Sequence, residues 1–599
     1  MITYSNRETD TCMHALGDGT FVAGIRGLDL YQLKGADLAG RSCLSGRVTD
    51  THWIASEYRR LRGRLRYAHE IFRDGIKIGT MEEYISTGHT FVRDFCLNEP
   101  VSYTITLDES VEDAAPEIFR VPKGSFYVND YPTGEDAYFR IAVTGGELSR
   151  EGRSLRMRLC GKVRFTIRLG NSAASVAEEE HIEEYNVPCP ETDSVYTDII
   201  EDYWYLYQCY HSAGQGLISA MEWNLDYIRD GYGAMRGLLA AGMLPQVREH
   251  LAFYLRVFRE KGFLATAQSV GNDGSMHIHE CDEAENPGYL VLEAFAYYEA
   301  SADREFLDSL MPMLRWCMEA QARHIYDGMM PYCGDETYVA GGILPRVHLE
   351  DGSCEATMLF IESARRMGEN LDNTEVRRKA EEARALFRRN FWRDGNLITN
   401  NPARKAAPLP ETKKGPCVYC YGYFAGLRPN KFGLYTCRNC AGRQEDITSD
   451  RIYCLPCVAM EPAYFGTDLV TQEEQRAIYE RYAESLLQNG IFSTEGADRK
   501  CTGYEYGLLL YGLVKTESPL MHPVHEEVLR RRDGTGVWAE YYRKDQPCGM
   551  RYRLWESGVN LMALLAYEAY LRRTGRNGSS KEIAQPRIWR NAGRLGTDS

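Results

Sequence analysis

Two hydrophobic periods divide this chain, and the point where one replaces the other limits what it can fold into. Up to about residue 190 apolar side chains recur at every second position. Val101, Tyr103, Ile105 and Leu107 alternate with Ser102, Thr104 and Thr106, the period of a half-buried strand. Leu155, Met157 and Leu159 alternate with Arg156 and Arg158, and Val163, Phe165, Ile167 and Leu169 with Arg164, Thr166 and Arg168. Between these runs Cys160-Gly161-Lys162 reads as a hairpin turn. Many short strands separated by Gly, Asp and Asn predict a β-sandwich over 1–190. Pro188-Cys189-Pro190 suits neither a strand nor a helix interior and marks a linker. From about residue 200 to 572 the period is helical: Val247, Leu251, Tyr254, Leu255 and Phe258 step by three or four, as do Val376, Ala380, Ala383, Phe387 and Phe391. Roughly a dozen such segments, taken in sequential pairs, are what a closed ring of six inner and six outer helices requires. The chain therefore reads as multi-domain, β then α, with a helical domain over 191–572. Residues 573–599, rich in Gly, Ser and Arg, read as a mobile tail.

Bulk properties narrow the class. A chain of 599 residues is too long for one core. The formal charge of −15 argues against nucleic acid, because phosphate backbones select basic surfaces. No window approaches a membrane span. Met1-Ile2-Thr3-Tyr4-Ser5-Asn6-Arg7 lacks the apolar core of a secretory signal, so a cytoplasmic protein with reduced thiols is expected. Of the 18 cysteines, most are scattered, as at Cys12, Cys43, Cys96 and Cys160, and suit small buried hydrophobes.

Six cysteines form Cys-x-x-Cys pairs. Cys417 and Cys420 are followed, sixteen residues on, by Cys437 and Cys440. Two such knuckles supply four thiolates, the set that tetrahedral Zn²⁺ takes. The intervening Gly422, Gly426, Pro429 and Gly433 predict turns and short strands. Residues 412–445 are thus expected to be a zinc-ribbon-like insert, the metal being structural, since four cysteines leave no open coordination position. Cys454 and Cys457 run into an apolar helical stretch and read as core.

Two acidic stretches about two hundred residues apart carry the chemistry. One is Tyr332-Cys333-Gly334-Asp335-Glu336-Thr337-Tyr338. The other is Val537-Trp538-Ala539-Glu540-Tyr541-Tyr542, followed by Arg553-Leu554-Trp555-Glu556-Ser557-Gly558. Two carboxyl groups facing each other across a pocket are the minimum equipment for cutting a glycosidic bond, one as proton donor and one to activate water. A third stretch, Glu222 to Gly231, holds Arg229-Asp230. That pair can grip adjacent sugar hydroxyls or be a surface ion pair at a helix start. His277 and His279 read as a polar cleft loop in which Glu280 or Asp282 touches substrate, not as a second metal site.

The stretch from Trp223 to Gly242 resembles the first barrel motif of the glucoamylase-like glycoside hydrolases, the family 15 group. Glu285-Asn286-Pro287-Gly288-Tyr289-Leu290 with Ala302-Asp303 is similar to a later motif. Gly334-Asp335-Glu336-Thr337-Tyr338 resembles the loop of the general acid, and Trp538-Ala539-Glu540 with Arg553 to Gly558 the loop of the general base. Order and spacing match over residues 200–572. The resemblance implies an (α/α)6 barrel and inverting, exo-acting hydrolysis of α-glucosides or related small oligosaccharides. Glu336 would be the acid and Glu540 the base, their carboxyls about 6.5–9.5 Å apart. Arg229, Asp230, Asp335 and Glu556 would bind substrate, and Trp223, Tyr332, Trp538 and Trp555 would offer flat faces to the sugar. The sequence departs from the family in three places. Asp335 stands where a tryptophan precedes the acid, Trp-Glu-Ser-Gly replaces Trp-Ser so that Glu556 competes with Glu540, and the cysteine module is additional. Two other readings stay open, a disaccharide phosphorylase of the same barrel and a non-catalytic carbohydrate-binding or scaffold protein.

Overall fold

The alternating segments pair into one antiparallel sheet, in a computed structural model that describes residues 2–5, 13–35, 42–122, 136–178, 182–212, 216–222, 225–270, 276–277, 279, 281–340, 343, 348–406, 411–417, 423–429, 435–440, 451–492 and 500–575. Fourteen strands belong to it. Its spine is the pair Thr90–Leu107 and Ser154–Gly170, joined from Ser154↔Thr106 to Arg168↔Thr90. The expected hairpin over 155–169 is corrected: both runs lie on one strand. At Cys160-Gly161-Lys162 the strand is exposed and its register shifts between Leu159 and Gly161. Gly161 takes φ 73°, a backbone state glycine adopts without strain, so the turn-like triplet makes a bulge instead. The first half of Thr90–Leu107 pairs with Ile76–Ser86 and its last residues with Leu44–Val48. The anticipated two layers are therefore branches of one sheet that share a spine, and both bury side chains in one apolar cluster.

An extended segment leads into the helical part. Its principal helices are Thr197–Tyr210 (α1), Ile228–Ala240 (α2), Leu244–Lys261 (α3), Asn286–Ser301 (α4), Arg304–Ala322 (α5), Cys354–Met367 (α6), Thr374–Phe391 (α7), Glu461–Phe465 (α8), Gln472–Asn489 (α9), Glu505–Lys515 (α10), Met521–Arg530 (α11) and Leu554–Arg573 (α12). α2 packs on α4, α4 on α6, α6 on α8, α8 on α10, α10 on α12, and α12 returns to α2. This inner ring is buried on most faces. The outer helices are amphipathic, as a helix facing water on one side must be. On α7 the buried residues include Val376, Ala380, Ala383, Phe387 and Phe391, the stripe read from the sequence. Glycine brings inner helices close: a Cβ on Gly237 of α2 would lie 2.6 Å from the Gly558 Cα of α12.

Sheet and ring are bonded to each other. Arg60 reaches Asp202 (3.2 Å) and Glu201 (2.6 Å) on α1, and the hydroxyls of Tyr67 and Tyr552 meet at 3.2 Å. Tyr31 donates to Glu222 (2.6 Å), and buried Lys34 donates to the Met221 carbonyl.

The cysteine insert has three short strands, Lys413–Pro416, Tyr423–Pro429 and Tyr435–Thr436. Cys457 is buried in the one-turn helix Pro456–Ala459, as core. Trp223, Glu280, Cys420 and residues 576–599 of the tail lie outside the described residues.

Candidate active site at the inner-helix N-termini

Each inner helix begins with a carboxylate. Asp230, Glu355, Glu461, Glu505 and Glu556 sit in the first turns of α2, α6, α8, α10 and α12, and Glu285 caps α4. Backbone N–H groups and the positive end of the helix dipole favour negative charge there. All six are buried, Asp230 being 7% exposed and the others less. Burial disfavours the ionised form. It raises Glu285, Glu355 and Glu461 above the usual carboxylate range, and pushes Glu505 and Glu556 up to about 8. Of this crown the sequence assigns substrate contact only to Asp230 and Glu556, and places Glu285 at the head of the Glu285 to Leu290 motif. The signal for the others is an acid at the start of an otherwise apolar helix, as in Glu461-Pro462 and Glu505-Tyr506.

Arginines neutralise part of the crown. Arg229 donates from Nη1 to Glu285 (3.1 Å) and to the Asp335 carbonyl (2.7 Å), and its guanidinium lies 5.4 Å over the Trp555 ring. Its buried Nε–H has no hydrogen-bond partner among the described residues. Arg553 bridges Asp230 (3.0 Å) and Glu556 (3.1 Å). Arg229-Asp230 is thus a buried network member, not a surface pair.

Glu336 is 2% exposed. Gly334, at φ 109°, turns the loop so that the N–H groups of Cys333 (2.6 Å) and Gly334 (3.3 Å) donate to its carboxyl. Burial outweighs these bonds and pushes Glu336 up to about 7. Its neighbour Asp335 is more open, with Oδ2 3.7 Å from Arg229 Nη2 and Oδ1 3.5 Å from His279 Nε2. His279 Nε2 also meets His277 Nε2 at 2.7 Å, and its backbone N–H donates to Asp282 at 2.8 Å, so this polar loop adjoins the acid loop.

Glu540 is half-buried and accepts from the Met550 N–H at 2.8 Å. The next residue, Tyr541, donates to the Thr337 carbonyl at 3.2 Å, tying the loop of Glu540 to the loop of Glu336. Glu556, fully buried against Arg553, is the support of an arginine.

The aromatic residues of the site are enclosed. Tyr332 and Trp538 are each 1% exposed, their polar atoms donating to the carbonyls of Thr399 and Val528. Trp555 is 5% exposed, stacked on Tyr504 at 4.5 Å and backing Arg229. In this structure these rings pack within the protein and brace the residues around the site. A Cβ on Gly233 would fall 1.7 Å from Trp555 Cδ1, so the indole is seated in a notch of α2.

In the insert Cys417, Cys437 and Cys440 are buried with their sulfurs within 4.8 Å of one another. The Cys437 N–H donates to Cys417 Sγ at 3.3 Å. Three converging sulfurs match three ligands of a tetrahedral zinc site.

No protein-family model matches this sequence, and no curated protein matches it. Among solved structures the chain is similar to a bacterial glucoamylase complexed with acarbose, with a TM-score of 0.58 and 10% identity over 93% of this chain and 94% of that chain. It also matches a glycosidase in complex with glucose (TM-score 0.42, 12% identity, 62% of this chain, 97% of that one). A third match is the GH76A alpha-1,6-mannanase from Salegentibacter sp. HEL1_6 (TM-score 0.38, 10% identity, 62% and 99%). The sheet followed by a helical ring, with acids at the inner-helix N-termini, is built on the same fold as the bacterial glucoamylase.

Proposed function

We propose that this chain is an inverting, exo-acting glycoside hydrolase of α-glucosides or related small oligosaccharides. The observation that carries the reading is the contrast between two acids on tied loops. Glu336 is enclosed and raised to about 7; Glu540 is half-buried with one backbone donor. A general acid must hold its proton at working pH and a general base must have lost it, and unlike surroundings separate the two roles. Glu336 gives its proton to the departing glycosidic oxygen as the C1–O bond breaks. Glu540 takes a proton from a water that attacks C1 from the opposite face, which inverts the anomeric centre. Arg229, with a donor to spare, and Asp230 hold hydroxyls of the terminal sugar. Glu556 positions Arg553 and is not the base.

Glucoamylase likeness of fold and the bound acarbose of that neighbour support the substrate class. The test is turnover of a panel of aryl glycosides and disaccharides by wild type, Glu336→Gln, Asp335→Asn and Glu540→Gln, with the product anomer read by NMR. Inverted product with both glutamate variants crippled supports the proposal. Retained configuration, or a sugar phosphate formed only with added phosphate, overturns it. Loss in Asp335→Asn with Glu336→Gln active would move the acid role to Asp335.

The cysteine cluster supports a structural zinc held by Cys417, Cys437, Cys440 and Cys420; the metal would stabilise a loop too small to bury its own core. Metal analysis of reduced protein checks this, well under one equivalent per chain counting against it.

A further inference from the structure

A cysteine that the proposed chemistry leaves unused stands at the head of a relay. Cys281 lies just before α4. Its Sγ is 3.6 Å from His324 Nδ1, and His324 Nε2 is 2.8 Å from Glu283 Oε2. Arg323 fixes Glu283 in turn at 2.7 and 3.2 Å. Sulfur, imidazole and carboxylate thus form a line in which each group orients the one before it, the arrangement that activates a thiol. His324 follows the C-terminus of α5, where the helix dipole favours a cation. It is also open to solvent: the His324 and Glu283 side chains are 32% and 31% exposed, and Cys281 is partly exposed. By contrast Cys317, Cys333 and Cys354 are fully buried, with their thiols pushed up.

The charges around the sulfur agree with the geometry. Burial opposes ionisation of Cys281, yet His324, and further off Lys413 of the insert, pull its thiol below the ordinary value against Asp282. Burial would lower His324, but Cys281 and Glu283 raise it to about 9. Burial would raise Glu283, but His324 and Arg323 hold it down to about 2. Among the described residues Arg404 and Tyr435 also face the sulfur.

What happens at Cys281 has a short path to the acid. Its backbone N–H donates to the Cys333 carbonyl at 3.0 Å, and the Cys333 N–H donates to Glu336 Oε1 at 2.6 Å.

We infer that Cys281, His324 and Glu283 form a reactive-thiolate site that takes up low-molecular-weight disulfides, and that its modification is transmitted through Cys333 to the loop of Glu336. The Cys281 thiolate attacks one sulfur of the disulfide R–S–S–R. A new Cys281–S–R bond forms as the old S–S bond breaks, and R–S⁻ departs with the electron pair. Cys281 is oxidised to the mixed-disulfide level, half of the reagent is reduced, and a second thiolate reverses the step.

The test uses the reduced full-length chain and a limiting aromatic disulfide at pH 6.5, with peptide mapping by mass spectrometry, which needs no turnover. Cys281 should be labelled ahead of the exposed thiols Cys96 and Cys160, with one aryl thiolate released per site. His324→Gln should slow labelling about tenfold and move its pH midpoint up toward the ordinary thiol range of about 8.5. Cys281→Ser should abolish the fast phase, with circular dichroism reporting that it folds. Hydrogen exchange of the modified protein should speed up at the amides of Cys333 and Gly334. A fast phase that survives Cys281→Ser, or wild-type labelling of folded His324→Gln, overturns the site. Unchanged exchange at those two amides overturns the transmission.

Discussion

The two ends of the helical ring are opposites built from the same six helices. At the N-terminal end the first turns carry Asp230, Glu285, Glu355, Glu461, Glu505 and Glu556, packed around Arg229 and Arg553. At the other end the helices leave a cavity of about 770 Å³ lined among others by Tyr232, Arg236, Arg366, Tyr464, Tyr511 and Lys515. There Arg236 donates to the Tyr232 hydroxyl (2.9 Å) and the Tyr464 carbonyl (3.1 Å), and Arg366 is held by Glu362 (2.8 Å). Inner helices that all run one way place their positive ends together and their negative ends together, and side chains of opposite sign collect at each. The difference teaches that the acid crown follows from ring geometry. What is special to the proposed site is how two acids on loops, Glu336 and Glu540, are set among those on helices.

The largest effect that separates the ends is on turnover. Glu336→Gln and Glu540→Gln should each lower kcat/KM by about 10²–10⁴-fold, whereas Arg236→Gln at the opposite mouth should leave it within about twofold. Comparable losses at both ends would erase the distinction. Next is packing beside the crown. Gly233→Ala forces Trp555 from its notch and should cost about 1–3 kcal/mol of stability by denaturant titration, with turnover falling as Arg229 loses its backing.

The third effect is on pH. As the proposed general acid Glu336 must be protonated, so activity should fall as pH rises through about 7. Stability should move the same way. Glu505 and Glu556 bind their protons more tightly folded (about 8) than at the ordinary value of 4.5. Their share of stability is complete below that ordinary value and is lost as pH rises toward 8. The melting temperature should therefore drop between pH 6 and 9, and Glu505→Gln should flatten the drop. A melting temperature that climbs over this range would contradict neutral acids in the crown. The smallest effect is expected from a zinc chelator, which on the proposed zinc site should unfold the insert, seen as faster exchange at Tyr435 and Thr436; unchanged exchange there would count against the site. The melting temperature of the ring should stay within about 3 °C.

Those tests bear on groups that differ in how readable they were. The stripe of α7 and the alternation of Val101 to Leu107 could be read from spacing because one face is wet and the other dry. The bulge at Gly161 could not, since glycine between polar neighbours is equally good in a turn. The loops of Glu336 and Glu540 announce themselves as acids among aromatics. The roles of those aromatics do not: Tyr332 and Trp538 look the same in sequence whether they face a sugar or a core. Glu285 stands out only as part of the Glu285 to Leu290 motif, and Glu355, Glu461 and Glu505 not at all, because a single acid opening a helix is ordinary and only closure of the ring makes six of them neighbours. The relay from Cys281 to His324 joins residues forty-three apart that no spacing rule links.

The meeting of Tyr67 with Tyr552 bears on transplanting the ring. Tyr552 immediately precedes Arg553, while Lys34 and Tyr31 of the sheet hold Met221 and Glu222, a few residues ahead of Arg229. Both arginines are thus moored from outside the ring. Exchanging the sheet for an unrelated module would cast off both moorings at once, so grafting the ring alone onto another scaffold would have to rebuild that wall.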